Sequence, residues 1–301
     1  MIRPVRFAGN PQTAESNRFQ QESGGASADS IQALALVEFD GLVQALTQAG
    51  VRVHVFSDTP EPHTPDSIFP NNWVSFHADG TVVLYPMLAP NRRLERRMDV
   101  IEALSAQAGF HITRTVDLTY REEAQKFLEG TGSLVLDRRN RIAYACLGPR
   151  TDMDVLGEFA QRLDYEVVAF EAFDASGAAI YHTNVLMSVG DRFAAVCGEC
   201  IEASHRAAVI DTLRNGGRTV IELSFAQMNR FAGNMLELRS QSGNALVVMS
   251  ESARTSLTAE QVNTLEAAAG SIVSAPIPVI EQLGGGSVRC MIAEVGLPKK
   301  K

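Results

Sequence analysis

Residues 30–56 read SIQALALVEFDGLVQALTQAGVRVHVF, and two elements are written in them. Ile31, Leu34, Ala35, Leu42 and Leu46 fall at helical spacing over Ser30 to Gln48. Gly50 follows, where a helix end calls for a left-handed residue. Val51 to Phe56 then alternates as a half-buried strand does.

The same order recurs along the chain. Met98 to Ala108 reads as a helix, Gly109 as its stop and Phe110 to Val116 as a strand. Asp152 to Leu163 precedes Tyr165 to Phe170, and Ile201 to Arg214 precedes Gly216, Gly217 and Thr219 to Leu223. Thr258 and Gln261 carry capping-box spacing at the head of a helix running to Ala269, with Gly270 as its stop and Ser271 to Ser274 beyond. These strands begin near residues 51, 110, 165, 218 and 271, a repeat of about 55. A polar loop and a hairpin pattern follow each of the first four. The hairpin turns fall at Ala78-Asp79-Gly80, Arg138-Arg139-Asn140, Gly190-Asp191 and Gln241-Ser242-Gly243. The last candidate, Val288 to Val295, lacks a partner strand, and Pro4 to Phe7 is expected to supply it and close a ring.

Five helix–strand–hairpin units in one α/β domain, residues 1–301, are therefore expected, arranged radially about a common centre. An open doubly wound sheet is the rival, disfavoured because hairpins recur where crossovers would stand.

Charge and composition narrow the function. Lys and Arg number 27 against 35 Asp and Glu, a net charge of −8, and the one basic tract is Lys299–Lys301. That disfavours a nucleic-acid partner, which needs a concentrated positive face. No uninterrupted apolar run is long enough to predict a membrane span. Arg3 and Arg6 are not followed by an apolar stretch, so no secretory signal is expected. The 4 cysteines are expected to be reduced thiols of a cytoplasmic protein. A symmetric homodimer is the default assembly.

Converging loops would bring Asp66, Asn72, Glu129, His182, Asn184 and Cys290 to one centre. Singly, each has a plainer reading: a Cys in a strand is usually a small core hydrophobe, and a His before a strand a satisfied loop residue. Gly284-Gly285-Gly286 lacks the Lys-Ser/Thr of a phosphate loop. Cys197-Gly198-Glu199-Cys200 has no second pair at metal spacing and reads as core, as does Cys146. Jointly, Cys290, His182 and Glu129 supply a nucleophile, an acid/base and a group to orient it. No metal or organic cofactor is called for.

At these residues the chain resembles, over essentially its whole length, the guanidino-group modifying superfamily of arginine and agmatine deiminases, dimethylarginine dimethylaminohydrolases and amidinotransferases. The resemblance implies a five-fold pseudosymmetric α/β-propeller. The nucleophile after a Gly-rich turn matches Cys290, the catalytic His matches His182, and its acidic partner matches Glu129 in Glu129-Gly130-Thr131-Gly132. Pro65-Asp66-Ser67-Ile68-Phe69 resembles a motif of the dimethylarginine hydrolases, which places Asp66 and Phe69 against substrate. Arg92-Arg93 and Arg150-Thr151 resemble segments that hold the substrate α-carboxylate, and Arg93 and Arg150 are taken for that role.

Three departures bear on the substrate. Asn72, Asn184 and Gly132 stand where the superfamily commonly places carboxylates that clasp a guanidinium. A neutral ureido group is matched by amides instead. The motifs look closest to the citrulline ureidases. A small-molecule amino-acid substrate is thus expected, with citrulline hydrolysed to ornithine, ammonia and carbon dioxide through an S-carbamoyl intermediate on Cys290. The alternatives are an arginine or dimethylarginine deiminase-type hydrolase working through an S-amidino adduct, an amidinotransferase, and a catalytically silent scaffold.

Overall fold

The computed structural model describes residues 1–21 and 24–300, so Lys301 of the basic tract lies outside the described residues. Helices form where an apolar period and a cap coincide. Ala28–Gln48 begins at Ser27, whose side chain accepts from the Ser30 N–H, and buries Ile31, Ala35, Phe39, Leu42 and Leu46. Met153–Leu163 is capped by Asp152, which accepts from the Asp154 and Val155 N–H groups. Ala259–Ala269 carries both halves of the capping box, Thr258 and Gln261. Gly50 and Gly270 end their helices at φ of 81° and 83°, a conformation that favours glycine.

Strand β1 (Ile2–Arg3) pairs parallel with β2 (Phe56–Ser57). Four three-stranded sheets then share one design. In the first, β3 (Val74–Phe76) is antiparallel to β4 (Thr81–Leu84), and β4 is parallel to β5 (Arg114–Asp117). The design is repeated by β6 (Val135–Asp137), β7 (Ile142–Cys146) and β8 (Glu166–Phe170). It returns in β9 (Met187–Val189), β10 (Phe193–Val196) and β11 (Thr219–Glu222). The last sheet joins β12 (Leu236–Arg239), β13 (Ala245–Ser250) and β14 (Ser271–Ala275). Among the described residues the fold is a mixed α/β arrangement of five small sheets.

This corrects the expected unit. In these four sheets the strand after the long helix returns to the hairpin before it, so the unit is hairpin, helix, strand; the strand after Ala28–Gln48 pairs with Ile2–Arg3 instead. A parallel pair needs a long crossover, and the helix supplies one. The middle strands β4, β7 and β10 are buried throughout, whereas β5, β8 and β11 keep exposed residues. That burial explains why the former read as apolar runs and the latter alternate.

The ring does not close by pairing Val288–Val295 with Pro4–Phe7. Residues 287–292 fold into successive turns: Cys290, Met291 and Ile292 N–H groups donate to the Ser287, Val288 and Arg289 carbonyls. Backbone groups spent locally cannot enter a ladder. The N-terminal strand pairs instead with Phe56–Ser57, and Val51 to Val55 lies outside any strand.

Val74, Val135, Met187, Leu236 and Ile292, one from each unit, line a single cavity of about 600 Å³. Cys146, Cys197 and Cys200 are buried and free, with Cys200 Sγ 3.1 Å from Met228 Sδ. Among the described residues, no helix is long and apolar enough to cross a membrane.

Candidate active site

Glu129 heads the short helical turn Gly130–Ser133, and its carboxylate is wholly buried. Oε1 accepts from the Leu88 N–H at 3.0 Å. Oε2 accepts from His182 Nε2 at 2.8 Å and faces Arg150 Nη1 at 3.4 Å and Arg92 Nη1 at 3.9 Å. Burial opposes a charge here. Arg150, the His182 hydrogen bond and Arg92 outweigh it and hold Glu129 well below the usual carboxylate range.

His182 precedes the turn Thr183–Leu186, and its ring lies 4.7 Å from that of Tyr181, centroid to centroid. Burial pushes the imidazole down to about 4; Glu129 pulls it up, and Arg150 and Arg92 push it down again. His182 is therefore neutral at pH 7. Glu129 favours the cationic form, but burial first, and then the two guanidiniums, outweigh it.

Cys290 is 4% exposed. Its Sγ accepts from Asn184 Nδ2 at 3.5 Å and Asn234 Nδ2 at 3.4 Å. Asn184 stands two residues after His182, so the His182 turn and the Cys290 turn meet at the sulfur. Gly286 lets the Phe69 ring approach: a Cβ there would lie 3.0 Å from two ring carbons and 3.4 Å from Cys290 Cβ.

Asp66 Oδ2 accepts from Asn10 Nδ2 at 2.8 Å and faces Arg92 Nε at 3.6 Å. Asn72 Oδ1 accepts from Arg92 Nη1 at 2.9 Å, and its Nδ2 donates to the Glu129 carbonyl at 3.4 Å. Two buried acceptors, Asp66 Oδ1 and Asn184 Oδ1, have no partner among the described residues. Gly132 is pressed between two of these groups. A Cβ there would stand 2.3 Å from Asn72 Nδ2 and 2.7 Å from His182 Nδ1, so no side chain fits at 132 while Asn72 holds its place.

Cys290, His182, Glu129, Asp66, Asn72, Asn184, Phe69 and Arg150 thus form one connected cluster. Arg93 does not join it. Its guanidinium donates to the Met87 and Leu88 carbonyls, faces Glu122 at 3.5 Å and lies over the Phe127 ring. Arg92 occupies the cluster instead, gripped by both oxygens of Glu95 at 2.9 Å. Three further participants carried no usable sequence signal: Asn234, Tyr181 and the segment Asn10–Asn17. The Tyr181 ring lies 4.9 Å from the Arg150 guanidinium. The segment covers the cluster: Arg150 Nη2 donates to Ser16 Oγ at 2.6 Å, and Asn17 Nδ2 donates to the Gly284 carbonyl at 3.2 Å. Among the described residues, no group of three or more His, Cys, Asp or Glu is placed to hold a metal.

Comparison with known proteins supplies a context for this cluster. The profile of a family described as N,N dimethylarginine dimethylhydrolase, eukaryotic, matches residues 3–297. Curated proteins give no match. Among solved structures, the N-terminal domain of ArgZ, covalently bound to a reaction intermediate, superposes with a TM-score of 0.73 at 19% identity, over 99% of this chain and 98% of that one. The same domain bound to substrate gives 0.72 at 18% identity, over 97% and 95%; that protein is described as an arginine dihydrolase from the ornithine–ammonia cycle in cyanobacteria. A dimethylarginine dimethylaminohydrolase adduct with S-methyl-L-thiocitrulline gives 0.63 at 14% identity, over 96% of each chain. Full-length ArgZ is longer, and this chain spans 40% of it. At these identities the structural likeness establishes the fold.

Proposed function

The chain belongs to the N,N-dimethylarginine dimethylhydrolase family, within the amidinotransferase and arginine deiminase superfamily, and is a hydrolase of C–N bonds other than peptide bonds; on that premise we propose that it cleaves citrulline through Cys290. What carries the reading is an imidazole hydrogen-bonded to an ionised carboxylate, with a buried thiol held by the amide of Asn184, two residues from that imidazole.

In this mechanism the thiol proton passes to His182 as the sulfur attacks the ureido carbon. The C–S bond forms, the bond from carbon to the δ-nitrogen breaks, and the imidazolium gives its proton to the departing amine, releasing ornithine. His182 then takes a proton from water. The hydroxide attacks the S-carbamoyl group and frees the thiol, and the carbamate so formed decomposes to ammonia and carbon dioxide. General acid–base help of this kind contributes about 10²–10⁴ in rate.

Asp66 Oδ1 and Asn184 Oδ1, the acceptors without protein partners, suit the N–H groups of a planar ureido group. Arg150, whose Nε has no partner, is assigned to the α-carboxylate. Arg93 would reach it only by leaving the Met87 and Leu88 carbonyls. The five units, with one inner segment each on a shared cavity, also support closure as a five-fold propeller.

The citrulline assignment rests on Asn72 and Gly132. With Asn72 turned to Arg92, and no room for a side chain at 132, Asp66 is, among the described residues of this cluster, the one carboxylate offering an unpartnered oxygen. A guanidinium would meet less compensating charge than a clasp of several carboxylates provides. Arginine is the second reading, favoured by that same Asp66 oxygen and by the arginine dihydrolase likeness. A panel of citrulline, arginine, dimethylarginine and agmatine, scored for ornithine, citrulline and ammonia, separates them. Ornithine is expected from citrulline without any added acceptor amine, with kcat/KM at least about 100-fold above arginine, an effect of ~2.7 kcal/mol. Accumulation of citrulline from arginine or dimethylarginine would overturn the assignment, and a requirement for an acceptor amine would point to a transferase.

The neutral His182 also fixes a pH profile. An imidazole held at about 4 accepts the thiol proton above that pH and loses the ability as pH falls through it. The acid limb of kcat/KM is therefore expected near pH 4. A limb near the ordinary histidine value of 6.5 would show that Glu129 fully offsets burial and the arginines.

A further inference from the structure

Asn234 belongs to no motif, yet its buried side chain touches three atoms at the nucleophile. Oδ1 accepts from the Arg289 N–H at 3.0 Å. Nδ2 donates to the Asn184 carbonyl at 3.0 Å and to Cys290 Sγ at 3.4 Å. Because one end accepts from a backbone N–H, the NH2 end must face the sulfur. Gly233 brings this loop down onto the His182 turn: a Cβ there would lie 2.5 Å from the Val185 carbonyl oxygen.

We propose that Asn234 is a positioning residue, pinning the Cys290 sulfur to the His182–Asn184 turn and donating one of the two amide hydrogen bonds that stabilise the thiolate. The proposal rests on Cys290 being the nucleophile. Asn234 also holds the backbone carbonyl of Asn184, the residue whose side chain gives the other donor. As a thiol, Cys290 can also point its proton at Asn234 Oδ1, 3.8 Å away; only the NH2 group serves the charged sulfur.

Asn234→Asp tests this. It keeps the size of the side chain and the acceptor for the Arg289 N–H, but it cannot donate to sulfur when ionised. The primary readout is the pH dependence of iodoacetamide alkylation at Cys290, quantified by mass spectrometry apart from Cys146, Cys197 and Cys200. No substrate is involved. The alkylation profile is expected to move about one pH unit higher or more. With citrulline, kcat should fall about ten- to hundred-fold, the effect of losing a hydrogen bond to a charged group, while KM changes less than about threefold. A profile superimposable on that of the unaltered protein would overturn the proposal, whatever the activity. Asn234→Ala, which removes the donor without adding a charge, is read in parallel; its profile must move in the same direction, and it stands alone should the aspartate variant not fold. Failure of the unaltered protein to turn over citrulline, alongside a shifted alkylation profile, would count against the substrate and not against Asn234.

Discussion

Cys290→Ser is expected to lower turnover by at least about 10³–10⁴, and the unaltered protein quenched during turnover should carry a carbamoyl-sized mass on Cys290. A hydroxyl of similar size fills the site without disturbing its neighbours, so folding should be unchanged. It does not ionise in the accessible pH range, and a neutral imidazole near it is too weak a base to compensate. The two amide donors aimed at Sγ favour an anion there, which sulfur provides and a serine oxygen provides only at far greater cost. Full activity in the variant, or an adduct mapped to Cys146, Cys197 or Cys200, would end the mechanism. A scaffold without catalysis would yield no adduct at all.

The second large effect concerns stability as well as rate. Glu129→Gln removes the charge that His182, Arg150 and Arg92 share. Arg92 retains Glu95, but among the described residues Arg150 has no other acidic partner. An uncompensated buried guanidinium typically costs about 3–5 kcal/mol. For a chain of this size the midpoint of thermal unfolding should fall by about 5–15 °C. The amide keeps one acceptor where the carboxylate has two, so its NH2 end must face the Leu88 N–H or His182, and the hold on the imidazole is weakened. A drop of at least about 10² in kcat is expected at temperatures where the variant remains folded. Calorimetry with parallel assays checks both parts. An unfolding midpoint within a degree of the original would show that Arg150 is compensated from elsewhere.

Much of this site was legible in advance because its signals are local. Glu129-Gly130-Thr131-Gly132, the His182 turn and the Gly-rich turn before Cys290 each stand in a loop between recognisable elements. A period near 55 places those loops in equivalent positions of equivalent units. Arg92 against Arg93 was not legible. The turn Pro90–Arg93 is a single helical turn, too short for a period to select a face, and neighbouring residues on it point about 100° apart. Asn234 was hidden for another reason: a loop asparagine has many ordinary uses, and its partners Asn184, Arg289 and Cys290 are far away in sequence.

Most helices were written locally. Ser27, Asp152 and the Thr258–Gln261 box start helices where their side chains reach backbone N–H groups, and Gly50 and Gly270 end them, all through interactions within a few residues. The sequence also determined how often the pattern repeats. Which strands pair was settled by packing across the whole chain, since a repeating string of hairpin, helix and strand can be cut at any point and pairing is a long-range choice. The same packing decided that the N-terminal strand joins Phe56–Ser57, and that Arg92 faces inward. It also decided the charge of His182, because a proton's affinity depends on every cation and carboxylate packed around it, and Arg92, Glu129 and Arg150 reach that ring from widely separated parts of the chain.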